Sequence, residues 1–449
     1  MATSINALAT ITAGIRTGAI EDRGDRRILL AVNGAPVPET SLSIAHQTAA
    51  RPLLDVFDTV IDLNAFTAPH VPNRWEPHTR DLPIFERVLR REWGLGDAEV
   101  ELFVQSPQVP PAETLMRVFR SGPVNVISDG LMSYSPLRNP LASGVKSRLA
   151  TLVYPDLLGG VTPLLMSHTA IEFRAIEPIE LRSEFALAAD AEDDPDFRAL
   201  SADRRPTALV LGQYLSALGI ISPRDELELQ ARLIRRAAEH GAERVLFKPH
   251  PNQPASALPR LLEMVSSLDV TVVDQPWCAE TMLEAMECVV VSASFSTALA
   301  TARAVYDIPI ASAGTESLMR SLKPYENSNR VPLVVADSLT RDGRGHAEPE
   351  HLEALVGAVG YVMQPEMMAH LRGRAEVGLA SLASEERRRY FDVRVLADLR
   401  LPGGTMDGAS PKSRAMHAMA RSHRGRHARR LMSIGRARAT RAYRILRGR

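Results

Sequence analysis

Short apolar runs rich in β-branched residues alternate with stretches of helical periodicity through most of this sequence. Four such runs in the first half are predicted to be strands, at residues 27–33, 58–63, 100–104 and 124–128. Helical patterns at 81–93 and 111–120 lie between them. Short buried strands separated by helices are typical of parallel sheets with right-handed crossovers. The first half is therefore predicted to be a doubly wound α/β domain.

A second set of strands begins at Thr207. The predicted strands are 208–212, 244–248, 270–274 and 288–291. The helix after the first of them is well signalled, because Ser222 can cap its start and Asp225 completes a Ser-x-x-Asp capping box. Pro223 suits the first turn of that helix. The second half therefore repeats the α/β pattern of the first.

These patterns divide the chain into two Rossmann-like domains with additions. The predicted parts are an N-terminal extension at 1–25, a first domain at 26–189, a linker at 190–206, a second domain at 207–330, a helical region at 331–402 and a basic tail at 403–449. Helical patterns at 350–362 and 365–399 support the helical region. The acidic run 190–196 breaks the periodicity. A solvated loop is favoured there over a calcium site, because the regular spacing of a calcium loop is missing.

The composition is that of a globular protein with more than one core, since 45% of the 449 residues are hydrophobic. Cys278 and Cys288 form neither a metal spacing nor a disulfide framework, which favours a reducing compartment. No signal peptide is recognisable, and no run of eighteen apolar residues predicts a transmembrane helix. We therefore expect a cytoplasmic protein. Peripheral attachment to the inner face of the membrane is compatible with that location.

The net charge of zero conceals a basic tail on an acidic body. Residues 411–449 contain 13 basic residues and no acid, which leaves 40 basic against 53 acidic residues in the rest. Such a tail favours a polyanion or an anionic membrane surface as partner. A basic extension without structure is an equal alternative. Nucleic acid is a weaker third, because no aromatic interleaving or recognition motif accompanies the charge.

Polar residues that follow predicted strands are the candidates for chemistry, because ligands of doubly wound sheets bind at the carboxyl ends of the strands. In the first domain, Asp129 lies in Ser128-Asp129-Gly130 directly after a strand. Its carboxylate can take the proton from an attacking hydroxyl, as glycosyl transfer requires. The alternative is a plain Asp-Gly turn.

In the second domain, Lys248-Pro249-His250-Pro251 follows a strand. The prolines fix the backbone around His250, so that a rigidly presented imidazolium can hold a phosphate and ease its departure. Lys248 can supply a donor to a base edge. The alternative is a surface turn with a solvated histidine.

A hydroxyl-rich segment follows the last predicted strand and precedes a helix. Ser294, Ser296 and Thr297 at a helix start provide hydroxyls and backbone donors for an anion, although simple capping explains them as well. Gln213 follows the strand 208–212 and can hydrogen-bond a substrate, with a plain loop as the alternative. Glu280 opens a helix and can accept both hydroxyls of a ribose, or it is an ordinary first-turn acid.

At these residues the chain resembles the bacterial sialyltransferases, and most closely the alpha-2,8-polysialyltransferase-like group of the GT-B fold. That group has a D/E-D/E-G motif, an HP motif and a later Ser/Thr motif. Ser128-Asp129-Gly130 matches the first with a serine in place of an acid, and His250-Pro251 matches the second. Ser294, Ser296 and Thr297 match the third. The resemblance covers roughly residues 26–315.

The resemblance implies two Rossmann-like domains facing a cleft, and an inverting transfer of sialic acid from a CMP-activated donor to a glycan acceptor without metal or other cofactor. Asp129 is implied as the base and His250 as the group that stabilises the leaving phosphate. The remaining implied contacts are the phosphate with Ser296 and Thr297, the ribose with Glu280, the cytosine side with Lys248, the donor more generally with Pro249, Ser294 and Gln213, and the acceptor with Asn33 and Gly130. Such an enzyme would contribute to a surface polysaccharide.

Two other functions remain open at this point. One is a related GT-B enzyme with another cytidine-nucleotide donor, such as CDP-glycerol. The Asp129-Gly130 motif and the Ser/Thr spacing favour sialyl transfer over it. The other is a non-catalytic glycan-binding or polyanion-binding module on a transferase scaffold. The intact set of aspartate, histidine and hydroxyls argues against that module.

Overall fold

The computed structural model of the protein describes residues 1–34, 42–250, 253–341 and 348–404. Two of the sequence predictions, the Pro251 half of the HP motif and the basic tail 411–449, lie outside the described residues. The strands are β1 (Ile28–Ala31), β2 (Thr59–Asp62), β3 (Leu102–Val104), β4 (Val124–Ile127), β5 (Leu149–Pro155), β6 (Glu172–Ile176), β7 (Thr207–Leu211), β8 (Arg244–Lys248), β9 (Val270–Val272), β10 (Cys288–Ser292) and β11 (Ile310–Ala311).

The helices surround these strands, and short 3-10 helices complete the secondary structure. They are α1 (Ile5–Thr17), α2 (Arg51–Leu54), α3 (Leu63–Thr67), α4 (Leu82–Glu92), α5 (Ala112–Val118), α6 (Ser143–Lys146), α7 (Pro178–Ala191), α8 (Pro195–Ala202), α9 (Pro223–Ala238), α10 (Leu258–Met264), α11 (Ala279–Ala285), α12 (Thr297–Tyr306), α13 (Thr315–Ser321), α14 (Arg330–Thr340), α15 (Pro349–Met363), α16 (Arg372–Ser381), α17 (Ser384–Tyr390) and α18 (Val393–Leu399). Among the described residues, no helix combines the length and the apolar character needed to span a bilayer.

The first half contains a two-stranded and a four-stranded parallel sheet, and the first residues of the chain bridge them at the centre. β1 pairs with β2, and β3, β4, β5 and β6 pair in that order. Residues 1–3 lie between these two groups. Ala2 bridges Ala31 in parallel, and the Met1 nitrogen donates to the Phe103 carbonyl at 3.0 Å. Strands therefore run outward from residues 1–3 in both directions, which is the doubly wound pattern.

The segment 1–25 contributes much of this half, whereas the sequence presents it as an extension. Ser4 caps α1 by accepting from the Ala7 N–H at 3.2 Å, and Gly18 ends the helix at a φ of 80°. The residues of α1 from Ala7 to Gly14 are buried, and the helix packs against α7. Residues 1–3 form a single bridge rather than a strand, so they show no hydrophobic period that would have predicted this pairing.

The second half is a five-stranded parallel sheet in the order β11-β10-β7-β8-β9. Relative to β7, two strands follow on one side and two on the other. The direction of the strand order reverses between β7 and β10, which is the point where ligands bind in doubly wound sheets. The eight strands predicted from sequence are confirmed within a few residues, while β5, β6 and β11 are additional. An α/β fold with parallel sheets is thus present.

Helices join the two halves. α7 follows β6 and packs against both α11 and α12 of the second half. One apolar core therefore includes Phe185 of α7 together with Met282 and Leu299. The predicted linker 190–206 contains α8, whose Phe197 packs edge-on against Trp277 with ring centroids 5.2 Å apart.

The C-terminal helices cover the edge of both halves. The predicted helical stretch 365–399 is divided into a 3-10 turn and the helices α16, α17 and α18. α15 lies so close to Leu164 of the first half that a Cβ at Gly360 would be 2.1 Å from it. Glu353 accepts from the Thr162 N–H at 2.7 Å.

Candidate functional site

Asp129 stands beyond the carboxyl end of β4 and is half-buried. The Gln105 amide donates to Asp129 Oδ2 at 3.0 Å, and the Asn6 amide donates to the Asp129 carbonyl at 2.8 Å. Burial raises the pKa of the Asp129 carboxyl, while its own backbone N–H and the Gln105 amide oppose the rise. A carboxyl group whose pKa is raised in this way is suited to accept a proton.

The loops after β7 and β10 meet at the reversal point of the second sheet. Gln213 Oε1 accepts from the Phe295 N–H at 2.8 Å, so this side chain fastens the two loops together. Ser296 caps α12 by accepting from the Ala298 N–H at 3.3 Å. Ser294 is 1% exposed, and its carbonyl accepts from the Ser312 hydroxyl. Capping and anion binding are compatible at such a helix start.

The two halves touch where Gly130 meets Thr297. Thr297 Oγ1 accepts from the Leu131 N–H at 3.2 Å. A Cβ at Gly130 would lie 2.4 Å from the same Oγ1, so only glycine allows this approach. The start of α12 is thereby set against the residue that follows Asp129. The contact thus brings residues of these two predicted motifs next to each other.

His250 follows β8 next to the same loops. A Cβ at Gly212 would lie 3.2 Å from both the His250 nitrogen and the Pro249 Cα, so the glycine lets the two loops pack backbone to backbone. Burial lowers the pKa of the half-buried His250 imidazole, and the charge of Glu226 opposes that effect. Glu226 is 5% exposed and accepts from the Leu215 N–H at 2.6 Å. It therefore both holds the loop after β7 and acts on His250.

Glu280 and Lys248 are a second set of ionisable side chains, and their charges act on each other. Glu280 is 6% exposed, and the Cys278 thiol donates to its Oε2 at 2.8 Å. Burial raises the pKa of Glu280, the charge of Asp129 adds to the rise, and Lys248 counteracts it. The Lys248 ammonium donates to the Gln275 carbonyl at 2.7 Å, and burial lowers its pKa to about 8. The charge of Asp129 thus reaches a carboxyl group of the other half.

Asn33 lies at the same edge of the first sheet as Asp129 but follows β1, with residues 1–3 and β3 between them. Its backbone is held by Asn64, whose amide donates to the Asn33 carbonyl at 2.9 Å. Ser128, the departure from the family motif, is 6% exposed and accepts from the Ser133 hydroxyl at 2.8 Å. The structure therefore brings Asp129, Gly130 and Thr297 together and leaves Asn33 farther along the edge.

Two cavities lie elsewhere on the described surface. One of about 170 Å³ is lined by Asn125, Thr151 and neighbouring charged side chains, and one of about 430 Å³ is lined by Phe66 and Trp93 among others. Neither is lined by a predicted site residue. We favour the loop constellation, formed by the loops after β4, β7, β8 and β10, because it brings the residues next to Asp129 against the start of α12 at the carboxyl ends of parallel strands. Within the described ranges, no three His, Cys, Asp or Glu side chains are grouped to hold a metal ion.

Four residues of this constellation are absent from the sequence prediction. Gln105 follows β3 directly, so the same rule that found Asp129 could have found it. Thr3 and Asn6 precede and open α1, where no strand was expected. Glu226 carries no signal beyond that of a first-turn acid, because its contacts with the loop after β7 depend on the tertiary fold.

A parallel α/β scaffold that sets a half-buried carboxylate against a hydroxyl-rich helix start is suited to a transferase with a phosphate leaving group. The family model described as alpha-2,8-polysialyltransferase (POLYST) matches residues 2–315, more than two thirds of the chain. The chain therefore belongs to the alpha-2,8-polysialyltransferase family, and it is a sialyltransferase, one of the glycosyltransferases. No curated protein gives a match to it.

Membership has two consequences. A sialyltransferase uses a nucleotide-sugar donor and a glycan acceptor, so both kinds of partner belong to this chain. The match also begins at residue 2, so it takes in α1 and the segment predicted as an extension. Neither the CDP-glycerol enzyme nor the non-catalytic module is favoured by the match.

Proposed function

We propose that this sialyltransferase moves sialic acid, or a related nonulosonic acid, from a CMP-activated donor to a glycan acceptor in one inverting displacement. The proposal includes a GT-B arrangement in which the two halves face a shared cleft, and a reaction that needs no metal. The observation that carries it is the contact of Gly130 and Leu131 with Thr297, because this contact sets Asp129 against the start of α12.

In the proposed reaction, the acceptor oxygen forms a bond to the anomeric carbon as the bond from that carbon to the CMP phosphate oxygen breaks. The acceptor proton passes to Asp129, and the bonding electron pair leaves with CMP. His250 stabilises the charge that develops on the departing phosphate. The backbone donors at the start of α12 and the Ser296 and Thr297 hydroxyls add to that stabilisation.

The remaining donor contacts are assigned to the ionisable side chains of Glu280 and Lys248 and to their neighbours. Glu280 takes the ribose hydroxyls and Lys248 the cytosine side, with Pro249 fixing the backbone between Lys248 and His250. Gln213 serves the donor indirectly, since its Oε1 fixes Phe295 just before Ser296. Gly130 and Asn33 belong to the acceptor side.

We place this activity in the assembly of a surface polysaccharide, at the inner face of a membrane. The support is the charge asymmetry of the sequence. A tail with 13 basic residues suits an anionic lipid surface or a growing polyanionic glycan.

A turnover assay with CMP-sialic acid and with CDP-glycerol, each in EDTA, tests the proposal. We expect CMP release from CMP-sialic acid alone, because the Asp129 and Ser/Thr motifs match a sialyl donor. His250→Ala should lose about 2–4 kcal/mol of transition-state stabilisation, the value of a major charge-stabilising donor. His240→Ala is the matched control, because His240 is exposed and bonds only within α9 and its end. Turnover of CDP-glycerol, or equal rates for the His250 and His240 variants, would refute the proposal.

A further inference from the structure

The Asp129 carboxylate is held by residues that belong to no motif of the site. Gln105 is 6% exposed, and its Nε2 donates to Asp129 Oδ2 at 3.0 Å. At its other end, Gln105 Oε1 lies 3.2 Å from the Thr3 nitrogen and 3.3 Å from the Thr3 hydroxyl oxygen. Asn6 holds the Asp129 carbonyl at 2.8 Å. Residues at the start of the chain and after β3 thus hold both the carboxylate and the carbonyl of Asp129.

The orientation of the Gln105 amide follows from its partners. A backbone N–H is always a donor, so the atom that faces Thr3 must be the amide oxygen. The NH2 group is then fixed toward Asp129. An ionised carboxylate can accept this hydrogen bond at either oxygen, whereas a protonated carboxyl group carries an O–H that an NH2 group cannot bond to as a donor. The arrangement therefore favours the ionised form of Asp129.

We propose that Gln105 is the positioning residue of Asp129, and that Thr3 orients the Gln105 amide so that the carboxylate faces the acceptor hydroxyl. The inference rests on the proposed role of Asp129 as base. Among the described residues, Oδ2 is the carboxylate oxygen that a side chain holds, and Oδ1 is the one left for the proton. Gln105 thereby links residues 1–3, at the centre of the first sheet, to the carboxylate that takes the proton.

Ionisation of Asp129 also responds to the other groups that face it. α11 contributes Glu280, and β8 contributes Lys248 beyond it. Asn6, which bonds the Asp129 carbonyl, and Thr297, which bonds the nearby Leu131 N–H, carry no charge. Substitution of Gln105 leaves Glu280 and Lys248 in place. A shift in the pH dependence of Gln105 variants would therefore report the loss of the amide donor.

The test is the pH profile of kcat for sialyl transfer in full-length Gln105→Ala and Gln105→Glu. A hydrogen bond to a charged group supports a loss of about ten-fold in kcat for Gln105→Ala. The acid limb should also move about one unit to higher pH, because Asp129 must be ionised and has lost a donor that favours ionisation. Gln105→Glu should shift that limb farther, since a second carboxyl group then faces the first. KM for the donor should stay unchanged in both variants.

Asn125→Ala is the matched control. Asn125 is a buried amide on β4 that bonds Glu101 and Thr151, and it does not touch Asp129. It should lower the unfolding midpoint without moving the acid limb. If Gln105→Ala behaves as Asn125→Ala does, the glutamine is merely structural and the inference fails. If Asp129→Asn itself retains transfer, the proposed base is wrong, and that outcome is distinct from failure of the Gln105 role alone. Thr3→Ala keeps the backbone donor, so its shift should be smaller than that of Gln105→Ala.

Discussion

At the scale of single residues, the site combines a base and a cation whose pKa values are displaced in opposite directions. Burial raises the pKa of Asp129 and lowers that of His250. The proposed reaction requires Asp129 ionised and His250 protonated. Activity should therefore fall as the pH drops through the Asp129 pKa and fall again as the pH rises through the His250 pKa.

This arrangement predicts different profiles for kcat/KM and for kcat. The pH profile of kcat/KM reports the ionisations of the free enzyme. Because the His250 pKa is lowered there, the alkaline fall of kcat/KM should begin at a lower pH. A bound donor brings phosphate charge next to His250, which favours the imidazolium. The alkaline limb of kcat should thus lie at higher pH than that of kcat/KM. Initial rates from pH 5 to 9, in steps, measure both. Coincident alkaline limbs, or an alkaline limb that persists in His250→Ala, would assign that limb to another group.

The residues of the site differ in how far the sequence predicts them. Asp129, His250 and Thr297 follow apolar runs in a doubly wound pattern, so a single rule about strand ends finds them. Gln105 obeys the same rule but carries no charge, and an amide offers no chemistry of its own to draw attention. Thr3 enters the site because the chain start forms the centre of a sheet, which depends on long-range pairing rather than on local periodicity.

At the scale of elements, the C-terminal helices depend on one buried ion pair. Asp337 of α14 is 2% exposed and accepts from the Arg389 guanidinium at 2.6 and 2.7 Å. The Tyr390 hydroxyl donates to it at 2.8 Å, and Thr315 donates as well. Burial alone would raise the pKa of Asp337, but these donors outweigh burial and lower it. This carboxylate therefore connects α13, α14 and α17.

Asp337→Asn should destabilise the protein by about 3 kcal/mol, because it leaves a partly buried guanidinium with the more exposed Glu316 carboxylate, 3.4 Å away, as its remaining ion-pair partner among the described residues. Since the folded pKa of Asp337 is lowered, its contribution is present above the unfolded pKa and is lost as the pH falls through the folded one. The difference between wild type and variant should accordingly shrink in acid.

Urea unfolding at neutral and acidic pH measures this difference. Glu239→Gln is the control, because its pair with Arg236 is exposed on both sides and such pairs are worth roughly 0–1 kcal/mol. Equal unfolding midpoints for the Asp337 and Glu239 variants would show that the ion pair does not hold these helices.

At the scale of the whole molecule, the two halves are joined in two ways. α7 packs on α11 and α12, so one apolar core continues from the first sheet to the second. The loops at the carboxyl ends meet through close contacts such as the hydrogen bond of Leu131 with Thr297. The sequence predicts both sheets but not this junction, because α7 reads as any other crossover helix. We therefore expect the packing of α7 to determine mainly the stability of the protein, and the loop contacts to determine the alignment of the reacting groups.

Gly130→Ala should separate these two properties. Gly130 has an extended backbone, with a φ of −176°, so alanine adds no backbone strain. Its Cβ would lie 2.4 Å from Thr297 Oγ1 and 3.1 Å from Thr297 Cβ, so that rotation of the threonine cannot relieve the whole overlap. The loop and α12 must move apart, and misplacement of reacting groups by 1 Å can cost about 100-fold in rate. Transfer should fall by about that factor, while the unfolding midpoint should change less, because the overlap is confined to Thr297 at the first turn of α12.

A double-mutant cycle with Thr297→Ala identifies the cause. If overlap with Thr297 is responsible, Gly130→Ala should cost much less in the Thr297→Ala background, since the two residues touch and their effects are then not additive. Gly144→Ala serves as the control in the same half, because no atom lies within 4 Å of its Cβ position. Wild-type transfer in Gly130→Ala would mean that the halves need not approach this closely in the reacting state. The alignment of Asp129 with the donor would then have to come from another contact.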